Sequence, residues 1–209
     1  MGGIHMEYCI AFYANSVISA GVLSYLDNIG LPPAIIGTFP KSAGVCALYC
    51  LGFPMTNSVT STYKKVKTCL VSDLNTDLII MSENSGGGFY ILSKYKAVGY
   101  DDNLVKGELR DIKKVLKKMQ GRIDIPLHKK VNGLKSMEAL LKRTASQNVI
   151  SVLSYEPQRD GEVAPVPKSW LVVPESVTAH VRLEEKNVDT VANHLHKTED
   201  IWLPRVFLK

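Results

Sequence analysis

Ser136–Leu153 reads SMEALLKRTASQNVISVL, and the fold turns on how its second half is taken. Its first half belongs to Leu134–Thr144, where Leu134, Met137, Leu140 and Leu141 recur at the three- and four-residue steps of one helical face. Asn132 stands just before it, where an N-cap is expected. Val149–Tyr155 breaks that rhythm with a β-branched run and reads as a strand. A helix followed by a strand here makes the chain mixed. We therefore expect an α+β fold, a mainly antiparallel sheet packed with helices and a helix-rich N-terminal portion.

Taken as helix throughout, Ser136–Thr144 and Ala145–Leu153 resemble the two halves of a helix-turn-helix, with Gln147, Asn148 and Ser151 facing base edges. Thr144 stands where that turn usually has Gly, however, and the second half has no basic residue. The strand is the better reading.

Upstream, Val105, Leu109, Ile112, Leu116 and Met119 follow at steps of four, three, four and three, which predicts one long amphipathic helix within Asn103–Gln120. Asp101, Asp102 or Asn103 would cap its start, and Gly121 would take the left-handed C-terminal position. Lys106, Arg110, Lys113, Lys114, Lys117 and Lys118 fall on its other sides, with Glu108 and Asp111 as the acids among them. Arg122–Val131 follows as a basic loop holding Arg122, Pro126, His128, Lys129 and Lys130.

The formal net charge is +5, unevenly spread. Residues 61–150 hold 17 Lys/Arg against nine Asp/Glu, and the two ends are close to neutral. A cationic middle suits a polyanion. We expect a nucleic-acid-binding protein, DNA or RNA, with Lys106, Arg110, Lys113, Lys114, Lys117, Lys118, Arg122, Lys129 and Lys130 neutralising phosphates. Phe89, Tyr95 and Tyr100 would supply stacking on a single strand. The plain alternative is that the lysines only solvate a helix surface.

Met1–Met6 (MGGIHM) reads as an added extension before a native start at Met6. Tyr8–Ala14 predicts a buried strand, Asn15 or Ser16 an N-cap, and Val17–Ile29 a helix stopped by Gly30 and Leu31-Pro32-Pro33. Ser42-Ala43-Gly44-Val45 echoes Ser19-Ala20-Gly21-Val22, and Gly52-Phe53-Pro54 echoes Gly30-Leu31-Pro32, so a helical hairpin is expected here. The nineteen uncharged residues between Glu7 and Asp27 are interrupted by Asn15, Ser16, Ser19 and Ser24, which argues against a membrane span. Met55–Thr62 reads as a linker between an apolar portion, 7–55, and a basic body, 62–209. That apolar third would be the route to a homo-oligomer.

Further along, Val66–Val71, Leu78–Met81 and Phe89–Leu92 read as strands, the last two joined by a Ser85-Gly86-Gly87-Gly88 turn. Trp170–Val173 and Val177–Leu183 also read as strands, Glu156–Lys168 as a loop and Val188–Leu195 as a short helix. Cys9, Cys46, Cys50 and Cys69 lack CxxC spacing, so buried thiols in a reduced, intracellular chain are expected, without cofactor or metal. His194-Leu195-His196 carries the alternative function. On a strand the two rings would point the same way, as in HUH-type nucleases, and His196-Lys197-Thr198 has the His-x-Thr form of two-histidine phosphoesterases. The competing readings are thus a phosphate-substrate enzyme using His194 and His196, or a non-catalytic protein–protein interaction module.

Overall fold

Cys9–Tyr13 (β1) is a run of five residues buried along its whole length, as a strand covered on both faces must be. It feeds Ser16–Asn28 (α1), whose first turn is capped by the Asn15 side chain accepting the Ile18 N–H at 2.9 Å. Gly30, at φ +74°, ends that helix. Ile35–Thr38 (β2) then lies parallel to β1, and Pro40–Cys50 (α2) leads through Gly52, at φ +92°, to Asp77–Met81 (β3), parallel to β2. The structure, a computed structural model, describes residues 7–59, 69–83, 88–100, 106–119, 125, 127–145, 148–154, 169–172 and 187–207.

From β3 the chain folds back as a meander of Phe89–Leu92 (β4), Ala97–Tyr100 (β5) and Lys106–Glu108 (β6), each antiparallel to the strand before it. Ile112–Lys118 (α3) returns to pack on α2. Leu127–Thr144 (α4) covers the opposite face of the sheet and delivers Val149–Ser154 (β7) parallel to β1, on the side away from β2. Ser169–Val172 (β8) borders β7 antiparallel, and Val188–Lys197 (α5) with Glu199–Phe207 (α6) closes over α1. The eight-stranded order is β6-β5-β4-β3-β2-β1-β7-β8.

The mixed class is as expected, but the sheet is not mainly antiparallel. Its four central strands, β3, β2, β1 and β7, are parallel, and antiparallel pairing is confined to the flanks. The reason lies in α1 and α2. They do not form a hairpin, because β2 intervenes and each helix becomes a crossover between parallel neighbours. Both helices lie on one face with α3, α5 and α6, in a core that includes Phe12, Leu23, Ile36, Leu48, Val191 and Trp202. α4 forms the second core with Ala11, Tyr13, Phe39, Ile79 and Val149. Strands from residues 9–38 and 77–172 share this one sheet. Within the expected linker, Met55 and Val59 are buried, and Asn57 donates to Asp189 at 2.7 Å.

Two helix boundaries also differ from expectation. The helix foreseen within Asn103–Gln120 begins only at Ile112, because Lys106–Glu108 pairs with β5 instead and Gly107 is a weak helix former. Conversely, α4 starts at Leu127 and not Leu134, so His128, Lys129 and Lys130 are helical and Asn132 is no cap. Gly133 lies inside α4. A Cβ there would lie 3.1 Å from both Phe39 and Tyr13, so glycine admits the close approach of helix to sheet and does not end the helix. The strand at Val149 is confirmed, as are those at Leu78, Phe89 and Trp170. The readings for Met1–Met6, 60–68, 84–87, 101–105, 120–124, 155–168 and 173–186 lie outside the described residues.

Candidate nucleic-acid interface

The β4–β5 connection is a tight turn, Ser93-Lys94-Tyr95-Lys96. Ser93 N–H donates to Lys96 O at 2.7 Å, Lys96 N–H to Ser93 O at 3.3 Å, and the Ser93 hydroxyl also accepts the Lys96 N–H at 3.0 Å. The turn backbone is therefore pinned while its tip reaches outward, and Tyr95 is 92% exposed. Opposite it, residues 69–71 are stitched to 110–112. Val71 N–H donates to Arg110 O at 2.8 Å, and Leu70 bridges Asp111.

Between these two walls runs a groove of about 350 Å³. Leu70, Lys94, Tyr95, Lys96, Leu109 and Arg110 line it, and among the described residues the lining holds no acidic side chain. Two described carboxylates nearby have partners of their own. Asp73 accepts the Leu70 N–H at 2.8 Å, and Asp111 lies 3.6 Å from the Lys114 ammonium. Arg110, in the lining, stands two residues before Ile112, the first residue of α3.

α3 buries Ile112, Val115 and Leu116 and leaves Lys114, Lys117 and Lys118 exposed, with Lys113 partly covered. Arg110 and the α3 lysines are thus neighbours along one short stretch beside the groove. Lys106 sits in β6, opposite Tyr100 in the register. Lys129 and Lys130 are elsewhere. They belong to α4 on the opposite face of the sheet, and the Lys130 ammonium lies 5.6 Å from the centre of the Tyr13 ring. Burial pushes the Tyr13 hydroxyl above its ordinary range, and the Glu83 carboxylate, which it faces, adds to the rise. Arg122 lies outside the described residues.

Of the three expected stacking residues, Tyr95 alone is open. Phe89 and Tyr100 stack on each other at 5.0 Å across β4 and β5 and are half-buried. Lys94 and Lys96 lie outside the helical pattern that carries the neighbouring cations. Their signal was local, two lysines flanking an aromatic residue at a turn between strands, and it is weaker than the helical rhythm next to it.

The remaining candidate residues are placed differently from the sequence expectation. His194 and His196 are in α5, where two residues apart means about 200° of rotation, so the shared strand face needed for joint ligation is absent. His196 Nδ1 lies 3.2 Å from Glu199, which also accepts the Tyr25 hydroxyl at 2.6 Å, joining α6 to α1. Among the described residues no group of three or more His, Cys, Asp or Glu is placed to hold a metal. The base-edge reading also fails for Ser151, which is fully buried and donates to Glu138 at 2.5 Å, while Gln147 lies outside the described residues.

All four cysteines are free thiols. Burial pushes Cys46 up to about 12, against the pull of hydrogen bonds with Thr38 and Ser42, and burial raises Cys50 as well, which favours the neutral thiol at both. The apolar N-terminal third, expected as an oligomer contact, is covered within the chain by α5 and the sheet. No helix among the described residues is long and apolar enough to cross a membrane. Comparison with known proteins finds no matching family model, no matching curated protein and no matching solved structure.

Proposed function

We propose that the protein binds nucleic acid through the groove beside the β4–β5 turn and the adjoining lysines of α3. One observation carries the reading: Lys94, Lys96 and Arg110 line one groove, with no acidic residue among the described residues of its lining, one turn away from Lys113 and Lys114. Cations brought close together repel one another. A ligand presenting evenly spaced phosphates relieves that repulsion and releases its own counterions. The proposed contact set is therefore narrower than charge alone suggests. It keeps Arg110, Lys113, Lys114, Lys117 and Lys118, adds Lys94 and Lys96, and leaves Lys129 and Lys130 outside.

A salt series of binding to single- and double-stranded DNA and RNA tests this. Affinity should fall linearly on logarithmic axes, with a slope of roughly 0.7 per phosphate contact for single strands. Changing Lys113, Lys114, Lys117 and Lys118 together to Glu should flatten that slope and weaken binding to every sequence alike. Binding that ignores both salt and the quadruple change would remove the proposal.

A further inference from the structure

We infer that the groove seats one unpaired nucleotide, its base against Tyr95 and its phosphate among Lys94, Lys96 and Arg110, so that the ligand is single-stranded nucleic acid. The inference rests on the nucleic-acid reading above and narrows it. Three features of the groove set the ligand's chemistry. Its walls are of two kinds, cationic at Lys94, Lys96 and Arg110 and apolar at Leu70 and Leu109. An inorganic anion would use only the first kind, and a greasy ligand only the second. A nucleotide presents both, a charged phosphate and a flat base.

The second feature is size. About 350 Å³ lies at the small end of the roughly 300–1,000 Å³ typical of ligand pockets, a size that suits one nucleotide. The third is Tyr95 itself. At 92% exposure it contributes almost nothing to packing, yet its backbone is held by the hydrogen bonds on both sides of the turn. Leu70, 45% exposed, is presented on the facing wall. An exposed aromatic ring carried on a pinned backbone can serve as a stacking platform. In a duplex the bases are paired and stacked inward, so only a strand with unpaired bases can use it.

The test measures fluorescence anisotropy of a labelled oligo-dT and oligo-U, and of a hairpin duplex of the same length, against the full chain and two variants. Tyr95→Ala should lower single-strand affinity by roughly 5- to 150-fold, the range for loss of one stacked base. Tyr95→Phe should restore most of it. Neither should move the duplex affinity or the salt slope, because no charge changes. Melting of both variants should match the wild type, since the side chain is exposed.

Equal loss on duplex and single strand, or no loss with Ala while the wild type binds, would overturn the stacking site and leave the phosphate contacts standing. If the wild type binds neither oligonucleotide nor duplex, the nucleic-acid reading itself fails. Binding to vesicles of anionic phospholipid without binding to either strand would replace both with a membrane surface.

Discussion

Asp27, at the end of α1, holds a carboxylate where the ends of two helices and the start of the sheet meet. Tyr49, in the last turn of α2, donates to its Oδ1 at 2.5 Å, and Tyr8 bonds to Leu31 O nearby. Partial burial pushes the Asp27 carboxyl above its usual range, against the pull of the Tyr49 hydrogen bond. A carboxyl raised by folding binds its proton more tightly in the folded state. Its contribution to stability is therefore whole below about pH 4 and is lost as pH rises through the folded value. Asp27→Asn keeps an acceptor for Tyr49 and abolishes the titration. Urea midpoints of the two proteins should coincide at acid pH, with the variant equal or ahead at pH 7. A variant that loses ground as pH rises would contradict the assigned direction. Nothing in the sequence marked Asp27, because the partners that surround it are 19 and 22 residues away along the chain. Asn15, Gly30 and Gly52 were legible for the opposite reason, each acting on its own helix end.

Among the elements, the contact of α1 with α5 is the most exacting. A Cβ placed on Gly21 would lie 2.4 Å from the Val191 Cβ and 3.0 Å from the Val188 carbonyl, so the helices touch nearly backbone to backbone. Gly21→Ala should destabilise by about 1–3 kcal/mol through overpacking, outweighing alanine's better helix propensity. The pair Gly21→Ala with Val191→Ala should lose less than the two single losses added, because trimming Val191 removes the clash. Thermal melts of the three variants decide it. The same kind of contact explains which elements could be read in advance. α1, α5 and the strands from Val149, Leu78 and Phe89 are set by patterns inside their own windows. β6 is not, since it becomes a strand only because β5 offers an edge, and Leu109 keeps a helical-looking rhythm by packing against the core from outside any helix. The groove wall formed by residues 69–71 against 110–112 was illegible for the same reason, being built from segments about forty residues apart.

For the whole molecule, the feature that sequence patterns could not give is the strand order. A buried parallel strand and a buried antiparallel one share the same apolar run, so β1 and β2 betray nothing of their neighbours. The order places β1 between β2 and β7, with Cys9 beside both Ile35 and Val149. A chain ended after residue 147 should therefore lack cooperative unfolding. Without β7 one edge of β1, fully buried in the intact protein, is laid open, and α5 and α6 are gone from over α1. Heteronuclear NMR spectra with collapsed amide dispersion are the expected result, and a well-dispersed spectrum would show that β7 is dispensable.

The position of β1 also has a temporal meaning. During translation β1 waits for its partner β7, encoded about 140 residues later, on the order of ten seconds at ~5–20 residues per second. Over that interval an apolar segment stands uncovered beside the ribosome, a natural target for a chaperone that holds nascent chains.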